Sequence, residues 1–565
     1  MESNSESSSA RSNFITDLIA EDLESNRFDQ RVQTRFPPEP NGFLHVGHAK
    51  AICINSSISR DHSGVFNLRY DDTNPVTESI EFTTAILDDL QWLLGEELET
   101  APLHTSDYFE QLYLWAEDLI NKGKAYVDDQ DAETISIQRG SFQESGIDSP
   151  NRERDIEENL RIFREMRAGK FSDGECVLRA KIAMDHGNMN MRDPIMYRVR
   201  HEEHFRTGKE WCIYPTYDWA HGQSDAIERV THSLCSLEFE SHRELYDWFL
   251  DQLEIRGDQR PYQTEFARLN FTYTILSKRL LKHLVEEKIV DGWDDPRMPT
   301  LRAFKKRGYP ATAIRDFCEH IGMAKTNGTH EIELLESFVR NNLNQNAERR
   351  MAVLKPLKVT ITNWPEGHVD IRKGVNNPED DSAGTREIPF TGSLFIERDD
   401  FMENPEPKYY RLAPGREVRL RYGYFITCND IVKDEEGNVN ELLCTYDPET
   451  SGGKAPDGRK VKATIHWVSK EHALDGSVVE YDRLFSAEHP GKDTGDPLDD
   501  INLNSKTLLE NSKFEPSIGE LPLGSTIQFE RLGYFHLDEE IPLHFHRTLG
   551  LRDEWANIVK RRENS

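Results

Sequence analysis

The sequence predicts an α/β protein: a parallel-sheet body broken by an insertion, then a helical region, then an all-β C-terminal part. Three observations carry this. Strand-like and helix-like runs alternate from Phe28 to about Leu103, the alternation stops and then resumes at Trp211, and after Ala347 the texture becomes one of short strands between turns.

In the first stretch Val32 to Phe36 and Val65 to Tyr70 read as strands and Ser79 to Leu94 as a helix, a βαβ pattern. Between the first strand and the helix that follows it runs Arg35-Phe36-Pro37-Pro38-Glu39-Pro40-Asn41-Gly42-Phe43-Leu44-His45-Val46-Gly47-His48-Ala49-Lys50. Pro37, Pro38 and Pro40 cannot continue a ladder, and Asn41-Gly42 is turn chemistry. From Leu44 the apolar residues Leu44, Val46, Ala49, Ile52 and Cys53 recur at helical spacing. Such a corner aims backbone N–H groups and the positive end of a helix dipole at one spot, which suits a phosphate. Gly47 admits a ligand close to the backbone, and His45 and His48 bring donors to polyphosphate oxygens. Spaced i, i+3, the two histidines also fit a metal pair, or simply two polar residues of a first turn.

The next strand end carries Arg69-Tyr70-Asp71-Asp72-Thr73-Asn74-Pro75, where open α/β sheets bind ligands. Asp72 to Pro75 reads as a helix N-cap and turn. From about Ser106 to Cys212, charged helical segments such as Asn151 to Gly169 mix with short strands such as Cys176 to Ala183, the texture of an insertion. The α/β pattern resumes at Trp211-Cys212-Ile213-Tyr214 and continues to about Asn270. Ser277 to about Glu348 is helical, with the amphipathic run Ala311 to Ile321. Val359 to Trp364, Ser393 to Glu397, Glu417 to Tyr424, Val461 to Val468 and Thr526 to Gly533 are short alternating strands, which predicts barrels or a sandwich. Asp447 to Lys460 is a turn-rich loop without the glycine spacing of a phosphate loop. Met1 to Arg11, polar and without an apolar segment, reads as a disordered tail and not a signal peptide.

At 565 residues, 36% hydrophobic and 30% charged, the chain is long enough for several domains, each with its own core. No apolar run approaches the roughly 20 residues needed to cross a bilayer. Cys53, Cys176, Cys212, Cys235, Cys318, Cys428 and Cys444 are odd in number and contain no C-x-x-C, which argues against a disulfide framework or zinc knuckle and for a reducing cytoplasm. The net charge of −32 works against a nucleic-acid binder, since a generic binder of polyanions is basic, but does not exclude one. Local basic stretches remain as candidates to attract phosphates: Lys278-Arg279 with Lys282, Arg302 to Arg307, and Arg416 to Arg421.

The proline corner with His45-Val46-Gly47-His48 resembles the His-Ile-Gly-His region of class I aminoacyl-tRNA synthetases, in the form used by the glutaminyl and glutamyl enzymes. Far downstream, Asn270-Phe271-Thr272-Tyr273-Thr274-Ile275-Leu276-Ser277-Lys278-Arg279 resembles their second motif, Lys-Met-Ser-Lys-Ser, in its Met-Ser-Lys-Arg form. Leu276 stands where Met is common, a swap that conserves volume. The resemblance spans about Asn13 to Trp555. It implies a Rossmann-like catalytic domain in two halves (28–105 and 211–276), an inserted acceptor-stem domain (106–210), a helical subdomain with the Leu-Ser-Lys-Arg loop (277–348) and two anticodon-binding β-barrels (349–565), behind a lead-in (1–27).

The resemblance also implies site residues. Glu39, Pro40, Asn41, His45, Val46, Gly47, His48, Ala49, Lys50, Ala51, Ser236, Arg268, Leu269, Leu276, Ser277 and Lys278 match positions that contact ATP, with His45, His48 and Lys278 stabilising the phosphoryl-transfer charge. Asp71 matches the acidic residue that receives the substrate's α-ammonium, Tyr217 a tyrosine that contacts the substrate, and Gln263 lies behind them. Thr231 to Phe239 is similar to the glutaminyl version: Cys235 occupies the place where eukaryote-like glutamyl enzymes commonly carry an arginine. A neutral thiol cannot neutralise a glutamate carboxylate, so an amide side chain is favoured. Lys325, Thr326 and Asn327 match a loop that touches tRNA, and Arg349, Arg411, Gln528 and Arg531 match anticodon-side contacts, whose planar donors suit exposed base edges.

The implied activity is ATP-dependent formation of a glutaminyl-adenylate and transfer to the terminal ribose 2′-hydroxyl of tRNA(Gln), by a cytoplasmic monomer without a membrane anchor. Mg²⁺ is expected to travel with ATP, held by phosphates and water and not by a protein cage. No side chain is assigned as general base. A glutamyl-tRNA synthetase and a catalytically silent tRNA-binding paralogue are the alternatives.

Overall fold

The computed structural model describes residues 13–95, 98 and 100–563, so the polar tail Met1 to Arg11 lies outside the described residues. The chain divides into two compact units, Met1–Asn270 with Cys318–Thr329, and Phe271–Phe317 with His330–Ser565.

The first unit opens with α1 (Phe14–Glu24), capped by Asn13, whose side-chain oxygen accepts from the backbone N–H groups of Ile15 and Thr16. It continues through β1 (Gln33–Phe36), α2 (Val46–Asp61), β2 (Val65–Tyr70), α3 (Ile80–Leu94) and β3 (Leu103–His104), with the three strands parallel in the order β1-β2-β3. Gly64 is required at the turn into β2, because a Cβ there would lie 1.9 Å from the carbonyl oxygen of Val32. The first helix, α1, packs Ile15 and Ile19 onto Val32, Ile54, Ile58, Leu234 and Phe266.

The insertion carries α4 (Phe109–Asn121), β4 (Ala125–Asp128), α5 (Ala132–Gln138), α6 (Ile156–Arg167), β5 (Val177–Ala180) and β6 (Ile195–Val199). With β7 (Ile213–Pro215) its strands form an antiparallel sheet in the order β4-β5-β6-β7. Its core runs from Phe109, Leu112 and Phe163 through Met196 and Tyr197 to Trp219 and Phe249, so insertion and resumed α/β layer share one apolar cluster. The layer then adds α7 (Tyr217–Ile227), β8 (His232–Ser236), α8 (Arg243–Gln252) and β9 (Tyr262–Phe266). The strands β8 and β9 are parallel, and the Thr231 N–H donates to the Gln33 carbonyl at 3.0 Å, which sets β8 beside β1. The chain therefore leaves β1 on one side and returns on the other. The carboxyl ends of β1 and β8 form the point where strand order reverses, the usual binding crevice of such sheets.

In the second unit, helices Lys278–Glu286, Leu301–Lys306 and Ile332–Asn346 precede two seven-stranded sheets. Both sheets close on themselves. The edge strands of one, Arg349–Arg350 and Ala352–Val353, are consecutive in the chain, as are Thr464–Ile465 and Val468–Ser469 at the edges of the other. These are barrel-like sheets, each around its own core: Leu357, Ile396, Val418, Ile426 and Trp467 in one, Val478, Phe514, Phe529 and Phe545 in the other. The expected strand Val461 to Val468 is two short strands, because closure turns the chain at His466-Trp467. Among the described residues no helix is long and apolar enough to cross a membrane.

Candidate active site

The corner after β1 is held from behind. The Asp71 N–H donates to the Pro38 carbonyl at 3.0 Å and the Ser79 N–H to the Pro40 carbonyl at 3.1 Å, while the Asn41 side chain donates to Glu39 at 2.6 Å. The prolines therefore place their carbonyls as acceptors for the exit of β2, and Asp71 is positioned by the corner itself.

His45 and His48 do more than line that corner. His45 is the N-cap of α2: its Nδ1 accepts from the Gly47 N–H at 3.1 Å, and the Nδ1 of His48 accepts from the His45 N–H at 3.1 Å. The two rings stack with centroids 3.9 Å apart. This is a reciprocal capping box built from imidazoles. With both Nδ1 lone pairs committed, each ring carries its proton on Nε2, the tautomer that offers a donor.

Asp71 is 1% exposed, and neither of its carboxylate oxygens has a hydrogen-bond partner among the described residues. Burial pushes its pKa up to about 8, against the pull of Arg69 and with Glu39, Asp72 and Asp225 adding repulsion. Glu78 nearby is pushed up to about 10, chiefly by burial and then by Asp72 and Asp71. Asp72 is not the local cap the sequence suggests. Ser79 caps α3, and the Asp72 carboxylate instead accepts from the Ser106 N–H and hydroxyl at 2.8 and 2.7 Å, tying β2 to the insertion. The turn spacing was right, but a buried carboxylate takes the donors that tertiary folding supplies.

Beneath the crevice lies a buried charge hub. Arg35 of β1 donates to Asp225 of α7 at 3.0 and 3.1 Å, to the Leu234 carbonyl at 2.9 Å and to the Ser233 hydroxyl at 2.5 Å. Arg69 of β2 donates to the same Asp225 at 2.7 Å. Both guanidiniums hold the Asp225 carboxyl far below the usual carboxylate range despite complete burial. His221 sits between the arginines, and its pKa falls well below normal because it is buried. Tyr217 stacks on the His221 ring at 4.7 Å, and burial raises its hydroxyl well above the ordinary tyrosine value.

Parallel register sets Ser233 opposite Gln263 and Cys235 opposite Glu265. The Gln263 Nε2 donates to the Phe239 carbonyl and to Glu265 Oε1, both at 2.9 Å, and Glu265 is in turn held by Arg243. Both Nε2 partners accept only, so the amide cannot flip and its Oε1 faces away from them as an obligate acceptor. Burial raises the Cys235 thiol, keeping it neutral.

Ser236 and Arg268 meet at Glu238: the Ser236 hydroxyl at 3.4 Å and the Arg268 guanidinium at 2.5 Å. Ala267 and Leu269 are buried on either side of the exposed Arg268. The Ala267 N–H donates to the Ala324 carbonyl at 2.8 Å and the Arg268 N–H to Asn327 Oδ1 at 3.0 Å, so the loop Lys325-Thr326-Asn327 is stitched to this segment. Lys325 lies over the Phe14 ring at 4.8 Å. Val46, Ala49 and Lys50 are buried in α2, whereas Ala51 packs against the α1 core.

In the second unit, Ser277 is the N-cap and Lys278 the first residue of the helix Lys278–Glu286, both exposed, with Leu276 half-buried. A lysine there opposes the helix dipole, a local cost that a polyphosphate would offset. Arg411 and Arg531 converge on Asp400, Arg411 at 3.3 Å and Arg531 bidentate at 2.7 and 2.8 Å, beside a pocket that also presents Lys408, Tyr409 and Tyr410. Arg349 is paired in register with Gln528 but 5% exposed, with its donors committed to the Ala347 carbonyl, Asn344 and Asn377. Of the basic stretch Arg302 to Arg307, Lys305 pairs with Glu539 and Lys306 with Asp294, while Arg307 donates to the carbonyls of Thr548 and Pro296.

Sequence reasoning missed Arg35, Arg69, His221, Asp225, Glu238, Arg243 and Glu265. The available signal was slight: an arginine inside each of two otherwise buried strands.

Comparison with known proteins agrees with this arrangement. Residues 31–345 match the model of the catalytic domain of class I tRNA synthetases (E and Q), and 347–447 and 464–538 match the anticodon-binding domains of the same group. A glutamine–tRNA ligase from Rhodopirellula baltica is 54% identical over 551 residues, covering 96% of this chain and 90% of the relative. One from Nitrobacter winogradskyi is 53% identical over 552 residues, 97% of each. A solved glutamate–tRNA synthetase from Elizabethkingia anophelis covers 56% of this chain and 71% of its own at 17% identity, with a TM-score of 0.42, a likeness too slight to add anything. On the strength of the catalytic-domain match and these near full-length relatives, the chain belongs to the class I tRNA synthetases of the E and Q group.

Proposed function

We propose that this protein activates L-glutamine with ATP and transfers it to tRNA(Gln). The observation that carries the amino-acid site is Asp71: a buried carboxylate whose two oxygens have no hydrogen-bond partner among the described residues calls for a cationic ligand, and the substrate's α-ammonium supplies it. The choice of glutamine over glutamate rests on three groups. Gln263 presents an acceptor whose orientation Glu265 and the Phe239 carbonyl enforce, Cys235 stays neutral, and the buried Glu265 carboxylate lies opposite Cys235. A carboxamide N–H₂ satisfies an obligate acceptor and a carboxylate cannot. The near full-length similarity to glutamine–tRNA ligases supports the same choice.

His45 and His48 are assigned to the triphosphate through Nε2–H, with Lys278 as a mobile ammonium that follows the charge developed when the carboxylate attacks the α-phosphate. Glu39, Pro40, Asn41, Val46, Gly47, Ala49, Lys50, Ala51, Ser236, Arg268, Leu269, Leu276 and Ser277 complete the nucleotide assignment. The Mg²⁺ expected with ATP is assigned mostly to phosphate and water ligands, where it would neutralise phosphate charge. Lys325, Thr326, Asn327, Arg349, Arg411, Gln528 and Arg531 are assigned to tRNA. The same reading takes the protein as a cytoplasmic monomer.

ATP–pyrophosphate exchange with glutamine and with glutamate, each with cognate tRNA present, tests the reading. Preference for glutamine supports it, and preference for glutamate replaces it with a glutamyl enzyme. A His48→Ala protein that still binds tRNA but aminoacylates poorly distinguishes an enzyme from a tRNA-binding paralogue.

A further inference from the structure

Lys50 is the one residue of the His45 to Ala51 run whose charge is buried at depth. It is 2% exposed, and its Nζ donates to the carbonyl oxygen of Ala267 at 2.7 Å. Burial lowers its pKa. An ammonium out of water and set against a neutral carbonyl is costly, and a methionine of the same length would fill that space more cheaply. The carbonyl it grips belongs to the residue just before Arg268-Leu269, the segment assigned to the nucleotide. That segment is held on its other sides by the Ala324 carbonyl on the Ala267 N–H and by Asn327 on the Arg268 N–H. Nowhere else does a side chain of α2 reach this turn by a charge-assisted bond among the described residues.

We propose that Lys50 is a positioning residue for the nucleoside half of ATP: its ammonium clamps the Ala267 carbonyl and so sets the backbone of Arg268-Leu269, while the phosphates are left to the histidines at the start of the same helix. The proposal rests on the assignment of Arg268 and Leu269 to ATP. It separates two roles within one short run. A lysine on the phosphates would act on charge, and would affect ATP while leaving uncharged adenosine untouched. A lysine that shapes the turn acts on the nucleoside, and must affect adenosine and ATP alike.

The test is direct binding of ATP and of adenosine to the full chain, by calorimetry or competition, for wild type, Lys50→Met and Lys50→Gln. Lys50→Met keeps length and removes the donor; Lys50→Gln keeps a donor on a shorter arm and guards against a failure of Lys50→Met to fold. We expect Lys50→Met to weaken ATP and adenosine by the same factor, about tenfold, with tRNA binding within twofold of wild type and Lys50→Gln intermediate. Loss of ATP binding with adenosine binding intact would overturn the proposal in favour of a phosphate contact. Unchanged binding of both would overturn it outright. Because binding is read without turnover, these outcomes are independent of which amino acid the protein activates. Failure of wild type to exchange pyrophosphate with glutamine would sink the ligase reading alone.

Discussion

Arg35 and Asp225 meet at the fully buried centre of the first unit, 190 residues apart in sequence, through bonds of 3.0 and 3.1 Å from one guanidinium edge to one carboxylate. The pair joins the first strand of the sheet to the helix that carries Tyr217 and His221. Removing the charge of Asp225 leaves Arg35 without its main counter-ion and deprives Arg69 of one of two. Asp225→Asn is expected to cost about 3–5 kcal/mol of unfolding free energy, read by urea denaturation. Asp225 is depressed in the folded state, so its stabilisation is present above the unfolded carboxylate pKa and is lost only as pH falls below it. Between pH 5 and 8 this group should contribute no slope.

Asp71 behaves in the opposite sense. Its folded pKa, about 8, lies above the unfolded value, so its contribution to stability is complete below the unfolded pKa and is lost as pH rises through the folded one. A cationic ligand reverses this by favouring the carboxylate. Glutamine binding near neutral pH should release up to one proton and strengthen as pH rises toward 8. Calorimetry in buffers of different ionisation enthalpy measures that release, and Asp71→Asn should abolish it while lowering kcat/KM for glutamine by about 30-fold or more.

His45 and His48 each serve twice, as caps and as proposed phosphate donors. The cap is worth about 1 kcal/mol, the electrostatic role about 3 kcal/mol of transition-state stabilisation. His45→Ala and His48→Ala should therefore lose on the order of a hundredfold in kcat with only a small fall in Tm. A fall in Tm large enough to explain the lost activity would mean that capping is their whole contribution.

Cys235 and Glu265 face each other in register, which limits the obvious specificity change. An arginine introduced at 235 would find the Glu265 carboxylate before it found a substrate carboxylate. Cys235→Arg alone should raise the glutamate-to-glutamine ratio in pyrophosphate exchange only modestly. Adding Glu265→Gln should raise it by about tenfold more, since charged neighbours of this kind couple by roughly 1–3 kcal/mol. Additive behaviour in the double variant would show that the two residues do not interact.

Elements with strong periodicity were legible. Val65–Tyr70, Ala311–Ile321 and Ser393–Glu397 have the bounds their sequence pattern predicts. The corner after β1 was legible as punctuation, because proline and Asn-Gly act on backbone dihedrals locally. Legibility ended where a side chain chose among distant partners. Asp72 looked like a cap because acidic residues near helix starts usually are, yet it found Ser106 instead. Lys50 is matched in the sequence only to a position that contacts ATP, and only the return of the chain after β9 shows the carbonyl it holds.

The sequence by itself determined the order of the elements, the strand-to-helix corner with its two histidines, and the switch from helical to barrel texture after residue 347, because each depends on residues a few positions apart. The tertiary structure alone decided which buried groups are satisfied and which are left waiting: Asp225 between two arginines, Gln263 locked by Glu265, and Asp71 with no hydrogen-bond partner among the described residues. The reason is that burial removes water from all of them alike, while the partner that replaces it comes from a strand or helix whose register no local pattern encodes.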